Sequence, residues 1–177
     1  GTGNITNVSL PQGATGFISN NLASSTLYVV VTSTGPGLVW TGTNSASPNV
    51  WNIGTTTNWL VGAAPTTYRQ IITPGDAVTF NNVGSGIVLL NTNVAPISVL
   101  ITNTATYTFS GSGNISGTTG LQKQGTGTAI LNLTNNTYLG DTTIGNGALQ
   151  VVNNAGSSAL STVANLVIST NGTLQDR

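Results

Sequence analysis

A leucine-glutamine pair placed shortly after a glycine recurs three times in the second half of this 177-residue chain. The pairs are Leu121-Gln122, Leu149-Gln150 and Leu174-Gln175, and the second interval is slightly shorter than the first. A strand-forming phrase that returns at such intervals, with glycine at its start and no helical pattern between, is typical of the coils of a β-solenoid. The spacing therefore predicts stacked β-coils, and it favours a structural protein over an enzyme.

Short runs rich in β-branched and aromatic residues alternate with turn signals along the whole chain. The predicted strands are Leu27–Thr32, Ala77–Phe80, Ile87–Leu90, Ile97–Thr102, Thr106–Phe109, Thr128–Leu133, Thr142–Ile144, Ala148–Val152 and Leu166–Ser169. Dipeptides such as Pro74-Gly75 and Asn146-Gly147 supply the corners between them. We expect an all-β fold. A right-handed parallel β-helix, or solenoid, is favoured, and an antiparallel β-sandwich or jelly roll is the alternative, because strand spacing alone does not separate them.

The composition is nearly free of charge. Thr, Asn, Gly and Ser account for 92 of the 177 residues, and the net charge is zero. Only six residues carry a charge: Arg69, Asp76, Lys123, Asp141, Asp176 and Arg177. Copies of such a chain hardly repel one another, so self-association is expected. Three basic residues cannot neutralise many phosphates, which argues against a nucleic-acid partner, and no apolar run is long enough to span a membrane.

The residues that most enzymes use for acid–base, nucleophilic or metal chemistry are missing. The chain has no His, Cys or Glu, and its three aspartates are far apart in sequence. Asp76 follows Pro74-Gly75 and Asp141 follows Gly140, so both are interpreted as turn-capping residues rather than a catalytic pair. We therefore expect no catalytic residue, no cofactor and no metal site, and we expect that the protein is not an enzyme.

The segment from Gly120 to Gln150 resembles the autotransporter-associated β-strand repeat, also called the passenger-associated transport repeat, of secreted bacterial surface proteins. The residues that carry the resemblance are Leu121, Lys123, Gly125, Gly127, Thr128, Leu131, Asn136, Tyr138, Gly140, Thr142, Ile144, Gly147 and Leu149. Ala129-Ile130 departs from the pattern, which usually has a single leucine there. The resemblance implies an extracellular or cell-surface β-helical stalk without catalysis.

The tryptophan-rich segment upstream resembles the lead-in that often precedes this repeat. It contains Trp40, Trp51, Trp59 and the run from Pro74 to Phe80, with Trp51-Asn52 in place of the more usual Trp-Asp. The three tryptophans have two interpretations: a platform for stacking sugar rings, or a small core that caps the β structure, which we favour because large aromatic side chains usually contribute burial. The chain also lacks Met and starts at Gly1, which indicates a removed leader or a longer parent chain and favours secretion.

Residues 1–34 resemble closing strands that usually end a unit of this kind. The predicted organisation is an N-terminal strand segment, 1–34, and a solenoid body, 35–177, with the lead-in at 35–80 and repeat rungs at 120–175. A final rung without a cap exposes N–H and C=O groups that a strand from another copy can pair. This predicts a head-to-tail homopolymer with assembly residues Ile5, Val8, Leu10, Leu27, Val29, Val31 and Leu174. The alternatives are that 1–34 folds onto its own body or that the chain continues beyond Arg177.

Glycans are a second expected class of partner. Sequons for N-glycosylation occur at Asn4, Asn7, Asn114, Asn132, Asn135 and Asn171. A chain so rich in Asn, Ser and Thr produces such triplets by chance, so the sequence does not choose among them. The sequence favours a subunit of an extracellular filament. The alternatives are a carbohydrate-binding module and a stalk segment of a larger adhesin.

Overall fold

The computed structural model describes residues 10, 14–21, 26–33, 37–71, 73–84, 86–152 and 159–176. These residues form fourteen strands and no helix. The strands are β1 (Thr15–Asn21), β2 (Thr26–Ser33), β3 (Leu38–Trp40), β4 (Val50–Trp51), β5 (Trp59–Val61), β6 (Ala64–Thr66), β7 (Val78–Phe80), β8 (Ile87–Leu90), β9 (Val99–Ile101), β10 (Tyr107–Ser110), β11 (Leu121–Lys123), β12 (Thr128–Asn132), β13 (Thr142–Val151) and β14 (Leu166–Asp176).

Strands β3 to β14 belong to one sheet that winds into a β-solenoid of about four turns. On its first side, β3, β7, β9, β11 and the beginnings of β13 and β14 stack in parallel. On its second side, β4, β8, β10, β12 and the ends of β13 and β14 do the same. Strand β13 turns from the first side to the second at Gly147, whose φ of 69° suits glycine. The predicted all-β solenoid is confirmed.

Hydrogen bonds between neighbouring coils show how long one coil is. The backbone N–H of Asn114 donates to Oδ1 of Asn93, and its Nδ2 donates to the carbonyl of Asn135, each 21 residues away. Across the last coil, Nδ2 of Asn165 donates to Oδ1 of Asp141, 24 residues earlier. One turn of the solenoid therefore uses about 21 residues in its middle, and the last coil is longer.

The leucine-glutamine repeat coincides with the coil in only one of its two intervals. Leu149 pairs with Leu174 and Gln150 with Gln175, so these two pairs occupy the same place in successive coils. Leu121 lies on the first side of the solenoid, in strand β11 between β9 and β13. The interval from Leu121 to Leu149 therefore joins two different sides and does not measure a coil.

The core is a set of side-chain ladders that run along the solenoid axis. Alternation along each short strand turns every second side chain inward. On the first side, one such ladder contains Phe80, Ile101, Lys123 and Ile144, all fully buried. On the second side, the corresponding ladder contains Val88, Phe109, Leu131 and Val151, again all buried.

Asparagine side chains hold the third side of the solenoid, where only isolated β-bridges such as Val94 with Ile115 are present in the described residues. The amide of Asn136 accepts a hydrogen bond from the backbone N–H of Ile115 (2.7 Å) and donates one to the carbonyl of Ala159 (2.6 Å). It thus links three successive coils. Backbone hydrogen bonds, such as those from the N–H of Ser116 to the carbonyl of Val94 (2.8 Å) and from the N–H of Thr137 to the carbonyl of Ile115 (2.9 Å), also join the coils here, and the side-chain amides add to them.

An aromatic cluster closes the N-terminal end. Strand β5 pairs antiparallel with β3, and β6 pairs antiparallel with β5, so the first parallel coil is covered. Trp59 packs edge-on against Trp40 (ring centroids 4.9 Å apart) and Trp51 (5.3 Å), and Tyr68 and Phe80 complete the cluster. The lead-in segment therefore forms a cap.

The predicted strands agree with the observed ones where β-branched residues are dense. Ile87–Leu90 is observed with the predicted bounds, and the predicted segments Thr142–Ile144 and Ala148–Val152 are two halves of one continuous strand, β13. Strands β1, β3, β4, β5, β6 and β11 were not predicted. Most of these are only two or three residues long and become strands through pairing with their neighbours rather than through composition.

Candidate assembly site

The last coil of the solenoid has one open edge. Strand β14 is 11 residues long and pairs with β13, and within the described part of the chain no strand pairs with its other edge. Its side chains show the consequence. Ile144 is fully buried, whereas Ile168, at the same place one coil later, is 46% exposed. The solenoid interior is therefore uncovered at this end.

Three consecutive large apolar residues are exposed where β14 begins. Leu166, Val167 and Ile168 are exposed by 41%, 46% and 46%. Leu166 and Ile168 occupy inward ladder positions, because they pair with the buried residues Thr142 and Ile144. They lack only the next coil above them.

The opposite end of the solenoid is built differently. Its outermost strands are β6, with three residues, and β4, with two. Pro65, in the middle of β6, has no backbone N–H to offer to a further strand. Short edges that contain proline are a common protection against strand pairing. Within the described residues, one end of the solenoid thus has short edges that contain proline, and the other end has a long strand edge.

The N-terminal hairpin forms a separate two-stranded sheet. Strands β1 and β2 pair antiparallel with each other, and in the described residues neither pairs with a strand of the solenoid. Five of its large apolar side chains are 39–57% exposed: Phe17, Ile18, Leu27, Tyr28 and Val29. An isolated two-stranded hairpin is only marginally stable in water. This hairpin therefore gains stability when another surface covers it.

Of the predicted assembly residues that are described, three lie on β2 and one on β14, whereas Leu10 lies outside both elements. Leu27 and Val29 are exposed on β2, and the backbone of Val31 pairs with Gly16. Leu174 is half-buried on β14 opposite Leu149, and the carbonyl of Leu10 accepts a 3.4 Å hydrogen bond from Nη2 of Arg69 in the body. In the part of the chain that the structure describes, no strand pairing joins the hairpin to β14. Ile5 and Val8 lie outside the described residues.

The tryptophans proposed as a sugar-stacking platform are in the core. Trp40, Trp51 and Trp59 are all 0% exposed, and each packs on other aromatic rings. A ring without solvent exposure cannot stack on a sugar, so the sugar-stacking interpretation of these residues is wrong. The capping-core interpretation agrees with their burial.

The glycosylation sequons differ in accessibility. Asn132, Asn135 and Asn171 are exposed, and Asn135 lies at a turn with φ of 56°. Asn114 is partly buried, and its Nδ2, the atom that would carry a glycan, donates a 3.1 Å hydrogen bond to the carbonyl of Asn135. Asn4 and Asn7 lie outside the described residues. Access thus favours the three exposed sites.

The buried charges are held by backbone groups. Lys123 is fully buried, and its Nζ donates hydrogen bonds to the carbonyls of Gly125 and Asn146. Burial lowers the pKa of Lys123 below its usual value. Asp76 accepts a hydrogen bond from the backbone N–H of Arg69 (2.9 Å), and the Arg69 Nε lies 3.8 Å from the same carboxylate oxygen. Asp76 thus binds a backbone N–H, as expected of a capping residue, but the N–H belongs to Arg69, seven residues earlier, and not to the turn at Pro74-Gly75.

Buried tyrosines make the fold sensitive to alkali. Desolvation by burial raises the pKa of Tyr107 to about 12 and also raises the pKa values of Tyr68 and Tyr138. Because these phenols ionise more easily when unfolded, the folded state is destabilised as the pH rises from about 10 to 12. Lys123 acts in the opposite sense: its lowered pKa in the folded state makes stability increase up to about pH 10.

We predict that the free energy of unfolding decreases between about pH 10 and pH 12 and that Tyr107→Phe removes on the order of 2 kcal/mol of this decrease. The measurement is urea denaturation followed by circular dichroism at several pH values. Tyr107 Oη also donates a hydrogen bond to the Asn81 carbonyl (2.7 Å), so the variant is less stable at neutral pH, and the slope against pH is the quantity to compare. An unchanged slope would show that the buried phenol is not the cause.

The described residues were compared with the requirements of a metal site and of a membrane-spanning helix. They contain no group of three or more His, Cys, Asp or Glu side chains that could hold a metal ion. They also contain no helix that is long and apolar enough to cross a bilayer. Comparison with family models, curated proteins and solved structures finds no match for this chain. Function must therefore be inferred from the molecule itself.

Proposed function

We propose that this chain is a non-enzymatic structural protein of the cell exterior whose copies join head to tail into a surface filament by pairing β-strands. The observation that carries the proposal is the asymmetry of the two ends. Strand β14 offers an 11-residue edge with exposed inward side chains, whereas short strands and an aromatic cluster close the other end. A contact between two different surfaces of identical subunits does not close on itself and gives a fibre.

Composition and sequence resemblance support an extracellular role. A net charge of zero with only six charged residues leaves little repulsion between copies. The repeat around Leu121 to Leu149 resembles that of secreted bacterial surface proteins, and exported filaments of this kind are exposed to glycosylation at accessible sites such as Asn132, Asn135 and Asn171. Secretion, filament formation and glycan attachment are parts of this one proposal.

The exposed apolar side chains of β14 and of the β1–β2 hairpin can contribute substantially to the free energy of assembly. Fully burying a Val, Leu, Ile or Phe side chain contributes about 1.5–3 kcal/mol, so eight half-exposed side chains on β14 and the hairpin contribute roughly 6–12 kcal/mol. Association costs an estimated 4–15 kcal/mol in lost freedom. The free energy gained by burying these side chains is therefore similar to the cost of association. Because the balance between them is close, we expect polymerisation to depend steeply on protein concentration.

Electron microscopy and light scattering of the purified protein, across a range of concentrations, test the proposal. We expect long unbranched fibres above a critical concentration, and monomers at every concentration would contradict it. Deleting residues 1–34 is expected to abolish the fibres and to leave the β-type circular dichroism of the solenoid intact. Leu139→Lys is the control, because Leu139 is 60% exposed on the third side and should not affect growth.

The open coil also supports a second candidate, a stalk segment of a larger autotransporter-like adhesin. In that case further coils of one longer chain would cover β14. Monomers that bind the next segment of such a chain, and no fibres of this segment alone, would favour the stalk. A carbohydrate-binding module lacks its proposed aromatic platform, since the three tryptophans are buried.

A further inference from the structure

We propose that the receptor for the neighbouring subunit is the first half of β14, residues 166–168, and that its occupant is the intact β1–β2 hairpin of a second copy. This inference rests on the proposed function and specifies its contact. We call residues 166–168 the first half of β14 and residues 171–176 its second half, on either side of Ser169 and Thr170. The first half binds the neighbouring subunit and the second half does not. Observations on the last coil and on the length of the chain support it.

The two halves of β14 have different chemistry. The first half presents the exposed apolar residues Leu166, Val167 and Ile168. The second half presents Thr173, Gln175 and Asp176 along its length, with Leu174 as its one large apolar side chain. An apolar hairpin surface thus has its match on the first half.

Asp176 makes the second half unsuitable for stacking. It pairs with Val151 and continues the inward ladder of buried residues Val88, Phe109 and Leu131. A further coil over Asp176 would remove its carboxylate from water inside an apolar stack, which is costly. An inward-pointing charge on an edge strand is a known device against unwanted strand pairing.

The corner within β14 prevents one hairpin from covering both halves. The pairing of β13 with β14 shifts register between Ile144 and Asn146, where two residues of β14, Ser169 and Thr170, lie opposite one residue of β13. The hairpin strands are seven and eight residues long, and their register is regular from Gly16 onwards. A regular hairpin can follow one side of the solenoid but not the turn between two sides.

The occupant must come from another copy because the chain's own hairpin cannot reach. In the parallel stack, five strand-to-strand steps lead from β3 through β7, β9, β11 and β13 to β14. A strand beyond β14 lies one step further, so it is roughly 29 Å from β3 at about 4.8 Å per step. Ser33 and Leu38 are five residues apart and span at most about 18 Å when fully extended. The intact hairpin of the same chain therefore falls short.

Three full-length variants with one added lysine each test the receptor. Ile168→Lys places a charge on the proposed receptor, Thr173→Lys places the same charge on the other half of β14, and Val29→Lys places it on the hairpin. Ile168, Thr173 and Val29 are all exposed in the single subunit, so each variant should fold, which circular dichroism checks. We expect Ile168→Lys and Val29→Lys to reduce fibre yield at least tenfold, and Thr173→Lys to change it less than twofold.

Mixing the two defective variants identifies the contact directly. Ile168→Lys keeps a working hairpin and Val29→Lys keeps a working receptor, so together they should form a 1:1 dimer of twice 17.8 kDa and no longer species. Size-exclusion chromatography with light scattering measures this mass, and each variant alone should remain a monomer. Failure of the mixture to dimerise would overturn the assigned pair.

The outcomes separate this inference from the proposed function. If the unmodified protein forms no fibres, the proposed function fails. If it forms fibres that Thr173→Lys abolishes and Ile168→Lys does not, the function stands and the receptor assignment is wrong. Equal loss in both variants would also overturn it, because the receptor would then span the whole strand. If the unmodified protein stays monomeric and Val29→Lys increases the exposure of Ile168, the chain's own hairpin covers β14, and the assignment of the occupant to another copy is wrong.

Discussion

Trp59→Ala is expected to lower the free energy of unfolding by about 4 kcal/mol, because truncation of a large buried aromatic side chain leaves a cavity that the surroundings fill only partly. Trp59 is fully buried, and its ring centroid lies 4.9 Å from that of Trp40, 5.3 Å from that of Trp51 and 5.5 Å from that of Phe80. Removing it thus weakens several edge-on aromatic contacts together. Urea denaturation followed by circular dichroism measures the loss.

Trp59 also lies where β5 pairs with β3, so its truncation affects the cap as well as the cavity. Strand β5 begins at Trp59 and covers the edge of β3, where Trp59 pairs with Trp40. Leu139→Ala is the matched control, because Leu139 is 60% exposed and its truncation should change stability by less than about 0.5 kcal/mol. If Trp59→Ala cost no more than this control, the aromatic cluster would not be what holds the cap closed.

The fold class was predictable because β-branched runs and glycine corners recur along the whole chain. Ile87–Leu90 is such a run, and it became β8 with the expected bounds. The repeat of Leu149 at Leu174 identified a true coil, since the two residues are neighbours in adjacent strands. The capping role of the tryptophans also followed from sequence, because large aromatic residues close together favour a buried cluster.

The coil length could not be recognised from its strands. The inward ladder of the first side contains Val78, Val99, Leu121, Thr142 and Leu166 in register. A ladder requires only that each side chain fits beside the next, so different residues replace one another and hide the period. A clearer signal was available in the asparagines, because Asn93, Asn114 and Asn135 follow one another at steps of 21 residues.

The candidate assembly site was predictable in its elements but not in its geometry. Leu27, Val29 and Leu174 were chosen for their strand-like setting, and they lie on the exposed hairpin and on the last coil. The exposed apolar residues Leu166 and Ile168 were not singled out. Leu166 and Ile168 are exposed because β14 is the last strand of the described stack. The residues around them do not indicate which strand is last.

The asparagine side of the solenoid gives the second large expected effect, and it tests how much a side-chain amide adds to the backbone hydrogen bonds that join the coils there. Asn136 is 4% exposed and links the N–H of Ile115 (2.7 Å) to the carbonyl of Ala159 (2.6 Å). Asn136→Ala leaves the N–H of Ile115 buried without this acceptor and removes the hydrogen bond to the carbonyl of Ala159. Since an unsatisfied buried group costs about 1–3 kcal/mol and a lost hydrogen bond about 0.5–1.5 kcal/mol, we expect a loss of roughly 3 kcal/mol in the free energy of unfolding.

Two further variants show whether the loss comes from the hydrogen bonds of Asn136. Asn136→Asp keeps an acceptor for Ile115 but turns a carboxylate towards the carbonyl of Ala159, so it should be at least as destabilising as Asn136→Ala. Asn132→Ala removes an exposed amide on the neighbouring strand β12 and should cost less than about 0.5 kcal/mol. If Asn136→Ala resembled Asn132→Ala in urea denaturation, the inward ladders and the backbone hydrogen bonds of the third side would hold the coils without help from the amide of Asn136.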